Sequence, residues 1–165
     1  MGFARLGRHL VANRWRVRNA FPRGAMKRIE MAVAASEKRH GGQIRIVIEG
    51  ALEGRALFRQ QSARARALDV FAQVRVWDTE HNNGVLIYLL LADRKVEIVA
   101  DRGIDALVGK QGWADISDVM RRAFRDGRFE DGLLAGIAAV SEQLAAHFPH
   151  RENDRNELPD APTIL

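Results

Sequence analysis

The chain has 165 residues, no cysteine, 26 Lys/Arg against 21 Asp/Glu and a net charge of +5. That length suits one domain with a core of its own, and the missing cysteine excludes disulfides, thiolate-zinc centres and a cysteine nucleophile. The charge is lopsided: residues 1–40 hold ten Lys/Arg and two Asp/Glu, so the rest of the chain is slightly acidic.

Residues 1–20 predict a basic amphipathic helix. Phe3, Leu6, Leu10 and Trp15 recur at roughly helical spacing between Arg5, Arg8, Arg14 and Arg18. Pro22 and Gly24 in FPRG end it and set residues 1–24 apart as a basic N-terminal segment. No apolar run here matches the about 7–15 residues of a secretory signal. The longest apolar stretch, Val85 to Ala92, falls far short of the about 20 residues that span a bilayer. A soluble, cytoplasmic protein is the expectation.

The body of the chain, 25–148, alternates helices and strands. Met26, Ile29 and Val33 mark a helix that ends at Gly41-Gly42. Gln43–Glu49 (QIRIVIE) predicts a strand with Ile44, Ile46 and Ile48 on one side. Arg55 to about Phe71 reads as one amphipathic helix. Gly84 to Leu91 lacks polar alternation, so both faces of that strand should be covered, as in a central strand between helix layers. Lys95–Asp101 returns antiparallel to it as a hairpin arm. Two helices follow, about Gly112 to Phe124 and about Glu130 to Phe148. In the second, Gly132 and Gly136 suggest close packing on the sheet. The pattern predicts a three-layer α/β/α sandwich around a small mixed sheet, a βαβ unit plus a β-hairpin, with N-terminal helices. Residues 149–165 are polar, contain two prolines and read as an extended tail.

One stretch concentrates polar chemistry. Asp78-Thr79-Glu80-His81-Asn82-Asn83 stands directly before the apolar strand. A hairpin turning at Asp93-Arg94 puts Leu91 opposite Val96, Asp101 opposite Leu86 and Asp105 opposite Asn82. That register brings Asp78, Glu80, Asp101 and Asp105 from two loops to one rim. Clustered carboxylates with amide and main-chain oxygens suit a hard cation, calcium or magnesium. The plainer alternative is a turn whose acids pair with Arg75 and Arg102.

Other chemistry is sparse. The five histidines make no HExxH pair, no serine sits in GxSxG, and there is no P-loop or GxGxxG. No nucleotide or organic cofactor is expected. His81 reads as an exposed loop side chain, and Trp77 and Trp113 as packing residues.

The segments RVWDTEHNNGVLIYLLLADRKVEIVADRGID and FRDGRFEDGLLAGIAAVSEQLAAHFP resemble the TPM domain family. The similarity covers about Glu30 to Phe148, and HFP with NELPDAP is similar to short, soluble bacterial members. The resemblance implies a compact α/β/α fold. Some members of that family are described as acid phosphatases, some as calcium binders, and others as auxiliary factors for membrane complexes. Many carry a signal peptide and membrane anchor, where this chain shows a basic helix. The resemblance carries onto Asp78, Glu80 and Asp101; Asp105 joins by the register argument, and Asp131 is explained by a helix dipole alone.

Three functions follow as expectations. The first is a binding or assembly module with a cation-ordered rim, an unidentified protein partner and peripheral membrane contact through residues 1–20. The second is a metal-assisted phosphatase of phosphomonoesters, with Arg102 balancing charge. The third is nucleic-acid binding through residues 1–40, against which stands the lack of an aromatic and basic sheet surface.

Overall fold

The computed structural model describes residues 13–165. Of the expected first helix, Phe3, Arg5, Leu6, Arg8 and Leu10 therefore lie outside the described residues. The remainder forms α1 (Asn13–Ala20), which buries Val17. Gly24, at φ 80°, turns the chain into α2 (Ala25–Glu37). Then come β1 (Gln43–Glu49), a short α3 (Gly54–Phe58), α4 (Ala63–Gln73), β2 (Gly84–Leu90), β3 (Lys95–Ala100), α5 (Arg102–Arg125), α6 (Phe129–His147) and a two-residue β4 (Thr163–Ile164).

The sheet order is β3-β2-β1-β4, with β1 parallel to both β2 and β4, and β3 antiparallel to β2. Every residue of β2 is buried, as its unbroken apolar run predicts for an interior strand. One face of the sheet carries Ile44, Ile46, Ile48, Val85, Ile87 and Leu89 and packs under α1, α2, α5 and α6. The other carries Val47, Leu86, Tyr88 and Val99 under Leu57, Val70 and the tail residue Leu158. The molecule is thus an α/β sandwich with a mixed sheet in its middle layer.

Four local expectations change. The helix expected over Arg55–Phe71 is two helices, because Gln60 adopts φ 52° and Ser62 restarts the chain as an N-cap accepting from the Ala65 amide at 3.1 Å. The hairpin connection is longer than Asp93-Arg94. A 3₁₀ turn at Leu91–Asp93 and a left-handed Arg94 join the strands, so Val96 faces Leu89 rather than Leu91. A slip of two residues keeps every side chain on its expected face, which is why the layer assignment survives. Gly132 and Gly136 open a close approach to α5, not to the sheet: a Cβ at either would strike Phe124 or Met120 at 2.4 and 2.3 Å. The helix expected from Gly112 begins at Arg102 and bends at Gly109, which has non-helical φ 72° and ψ 168°.

The segment 149–165, extended in the sequence reading, runs back over the sheet. The Leu165 amide donates to the Ile48 carbonyl at 3.0 Å, and Thr163–Ile164 pairs with Val47–Ile48 on the open edge of β1. Arg45 draws the tail in, donating to the carbonyls of Pro159 and Ala161 and to the Thr163 hydroxyl. Gln43 accepts from the amides of Glu157 and Leu158 at 2.8 and 2.9 Å.

Candidate functional site

The polar loop 78–83 and the start of α5 meet at one end of the sheet. Gly84 lets the start of β2 lie against the chain just before that loop, since a Cβ there would lie 2.2 Å from the Val76 carbonyl oxygen. The Asp101 amide donates to the Gly84 carbonyl at 2.8 Å, and the Ile104 amide to the Asn82 carbonyl at 3.3 Å. Gly103 also serves this contact, because a Cβ would stand 2.5 Å from that Asn82 oxygen. Within the loop, Asn82 takes φ 52°, a conformation Asn tolerates better than most residues. The Thr79 hydroxyl accepts from the Asn83 amide, and the Asn83 side chain donates to the Gly41 carbonyl at 2.9 Å.

The four candidate carboxylates fare differently. Asp101 is buried, 8% exposed, and caps α5 by accepting from the Arg102 amide at 2.7 Å. Its other oxygen, Oδ2, is buried with no hydrogen-bond partner among the described residues. Asp78 is exposed and pairs with Arg75 at 3.1 Å, the plainer of the two sequence readings for that residue. Glu80 is exposed, and its amide is held by Glu157 of the tail at 3.2 Å. Asp105 does not face Asn82 from a loop. It sits exposed in the first turn of α5, its amide donating to the Asp101 carbonyl, where a negative charge suits the helix dipole. Asp131 likewise lies in the first turn of α6, 3.6 Å from Arg128. Among the described residues, no three His, Asp or Glu side chains form a group that could hold a metal ion. An unpaired buried carboxylate oxygen nevertheless suits a hard cation better than it suits an empty apolar site.

His81 is exposed, as expected for a loop residue. Trp77 lies half-exposed with the Arg75 guanidinium 5.8 Å from its ring centre, and Trp113 is buried. Ser36 donates to the Val33 carbonyl, Ser62 caps α4, and Ser117 and Ser141 are buried in helices, the Ser141 Oγ with no hydrogen-bond partner among the described residues.

Sequence reasoning missed the part of the rim that the tail supplies. Glu157 has no periodic signal. Beside it, a cavity of about 200 Å³ is lined by Glu37, His40, His150, Asp154 and Arg155. Burial pushes the Glu37 carboxyl up to about 8, and the neighbouring Asp160 carboxyl adds to the rise. Burial also lowers the pKa of His40, whose Nδ1 meets the Gly42 carbonyl at 3.1 Å while Nε2 is unpartnered. These groups come from α2, the turn before β1 and the tail, too far apart in sequence for any spacing motif to reveal them.

A family model described as the TPM domain matches residues 18–143. Among solved structures, the chain is similar to the BA42 protein of the psychrophilic bacterium Bizionia argentinensis, with 30% identity, a TM-score of 0.77, and coverage of 88% of this chain and 95% of that one. It also shares the fold of the N-terminal domain of a P. gingivalis protein, at 22% identity and a TM-score of 0.62, covering 81% of this chain and 83% of that one. No curated protein matches the chain. No described helix is long and apolar enough to cross a membrane.

Proposed function

The chain belongs to the TPM domain family, and on that premise we propose that it is a binding module whose acidic rim takes a calcium or magnesium ion and presents an ordered surface to a protein partner in a membrane-associated complex. One observation carries the cation: the buried, unpartnered Oδ2 of Asp101 at the junction of the polar loop and α5. Asp101 would hold the ion, with Asp78, Glu80 and Asp105 as the carboxylates within the same end of the sheet. Membrane contact would run through residues 1–20, where Trp15 is 58% exposed and Arg18 is exposed on α1.

The test is thermal unfolding with calcium, magnesium or chelator. An ion that binds only the folded state at a hundredfold excess over its Kd adds about 2.7 kcal/mol. Asp101→Asn keeps a good helix cap and should abolish the shift. Coincident melting curves in calcium and chelator would end the cation reading. Co-sedimentation with anionic vesicles, compared with Trp15→Ala/Arg18→Glu, tests the membrane contact.

A second reading is a metal-assisted phosphatase of phosphomonoesters, favoured by the label of the family model, which pairs TPM with phosphatase. A bound cation supplies Lewis-acid stabilisation of the phosphoryl oxygens. Asp101 positions it, and the exposed Arg102 beside it answers the phosphate charge. Turnover of a phosphomonoester that survives Asp101→Asn, or that is unchanged by chelator, would overturn this reading.

A further inference from the structure

The end of the sheet away from the rim bears the opposite charge. β2 runs from Gly84 at the rim to Leu90 at the hairpin turn, so the two ends stand about 20 Å apart at the usual strand rise. At the hairpin end lies a groove of about 730 Å³ lined by the exposed Arg94, Lys95, Arg121, Arg122 and Arg125. They come from the turn, the start of β3 and the last turns of α5. The groove also holds three acids, and each is engaged. Asp118 pairs with Arg121 at 2.7 Å, Glu97 lies 4.0 Å from Arg64, and Asp93 has a partner of its own. Arg94, Lys95, Arg122 and Arg125 form no ion pair among the described residues.

Two facts weigh against a merely solvated face. The carboxyl end of a helix carries roughly half a negative charge, which suits Arg122 and Arg125 but is too small to answer four cations. Arg94 also holds φ 50°, a left-handed conformation that Gly or Asn adopts at less cost, so a cation stands where the backbone favours a smaller residue. The volume is that of a small-molecule site. Arg94 also lines a neighbouring cavity of about 230 Å³, together with Trp15, Arg16, Asn19, Leu91 and Phe129. Guanidinium groups recognise phosphate oxygens by forked, charge-assisted hydrogen bonds. The exposed indole of Trp15, in that neighbouring cavity, offers a face for a planar ring.

We infer that the hairpin end is a binding site for a small ligand carrying a chain of phosphates, held by Arg94, Lys95, Arg122 and Arg125. This chemistry occurs in free polyphosphate and in nucleoside polyphosphates, and Trp15 is the residue that tells them apart. The site is independent of the rim and of any cation there.

Calorimetric titration of the full chain with tripolyphosphate and with ATP tests it. Physiological salt keeps long-range attraction screened beyond about 8 Å, and chelator removes any contribution of the rim. Saturable one-to-one binding is expected. Arg94→Glu/Arg125→Glu should weaken it at least about tenfold, while Arg39→Glu, an exposed charge change on another surface, should leave it within about twofold. If circular dichroism shows the double variant misfolded, Lys95→Gln/Arg122→Gln takes its place. Tighter ATP binding that Trp15→Ala reduces to the tripolyphosphate value assigns a nucleotide; equal affinities assign the phosphate chain alone. Absence of saturable binding by both ligands would overturn the inference. So would equal losses in the groove variant and Arg39→Glu, which would mark the attraction as general.

Discussion

Strand β1 turns Ile44, Ile46 and Ile48 to one side of the sheet and Gln43, Arg45, Val47 and Glu49 to the other, and both sides are buried. The first side packs against helices through apolar surface alone. The second buries an amide, a guanidinium and a carboxylate, each satisfied by specific groups. Gln43 and Arg45 are met by the tail, and Glu49 by Arg66 at 2.9 and 3.0 Å and by the Tyr88 hydroxyl. An apolar face asks its cover only for volume and shape, so many sequences would serve. A polar face asks for each partner in place, and losing one strands a charge away from water. The two sides should therefore fail differently under mutation.

The largest effect is expected on the apolar side. Leu89 is fully buried between β1 and β3, and Leu89→Asp would place an unpaired carboxylate there. Its burial costs several kcal/mol, comparable to the whole stability of a domain. The variant should be unfolded by circular dichroism; an unchanged melting temperature would contradict the interior placement of β2. Next comes Arg66→Met on the polar side. It keeps much of the side-chain volume but leaves Glu49 buried with only Tyr88, whose own ionisation is pushed far up by burial and by the Glu49 charge. Breaking a buried pair in this way costs about 3–5 kcal/mol, read as a shift in urea midpoint. Glu49→Gln made in the same background should recover part of the loss, since it removes the stranded charge.

The same contrast explains what could be read from sequence. The apolar side announces itself by period: Ile44, Ile46 and Ile48 at every second residue, and the unbroken run after Gly84. So the layers, the interior strand and the two last helices were legible. Periodicity says nothing of partners supplied by irregular chain. The tail has no run of alternating residues, yet Glu157, Leu158, Pro159, Ala161 and Thr163 complete the β1 face and its edge. The acidic rim was half legible. Asp78, Glu80 and Asp101 lie at one end of the sheet, because a polar loop before a buried strand must lie at its end, but among the described residues they do not form a group that could hold a metal ion. Asp105 was placed by extending the hairpin register as a strand or loop, whereas the chain turns helical at Arg102, so Asp105 stands in the first turn of a helix capped by Asp101.

Arg45→Met sharpens the comparison from the tail side. Burial works against the Arg45 charge and nearby Asp160 supports it, while its donors hold the Pro159 and Ala161 carbonyls and the Thr163 hydroxyl. Their loss should cost about 2–3 kcal/mol. It should also loosen the tail before the rest of the domain unfolds. Trypsin would then cut at Arg151 and Arg155 faster in the variant than in the parent, at temperatures where the far-ultraviolet spectrum is native. Equal cleavage rates would show that Gln43 and the β4 pairing hold the tail unaided.

The last effect depends on pH and involves Glu37, where α2, the β1 start and the tail meet. Its Oε1 accepts from the Ile44 amide at 3.1 Å, a contact that favours the charged form, yet burial and the Asp160 carboxyl win and raise its pKa from 4.5 to about 8. Between those values the unfolded chain gives up its proton while the folded chain keeps it. Each step up in pH across that window therefore favours the unfolded state. The stabilising contribution is complete below pH 4.5 and gone by about pH 8. Glu37→Gln mimics the protonated carboxyl and keeps an acceptor for the Ile44 amide. It should melt with the parent near pH 4.5 and above it near pH 8. His40 acts in the opposite sense, since its lowered pKa makes the folded state resist protonation as pH falls below 6.5. The difference between variant and parent, not the slope of either, isolates Glu37. A constant difference from pH 4.5 to 8 would mean that Glu37 is already ionised in the fold and that Asp160 lies too far away to oppose it.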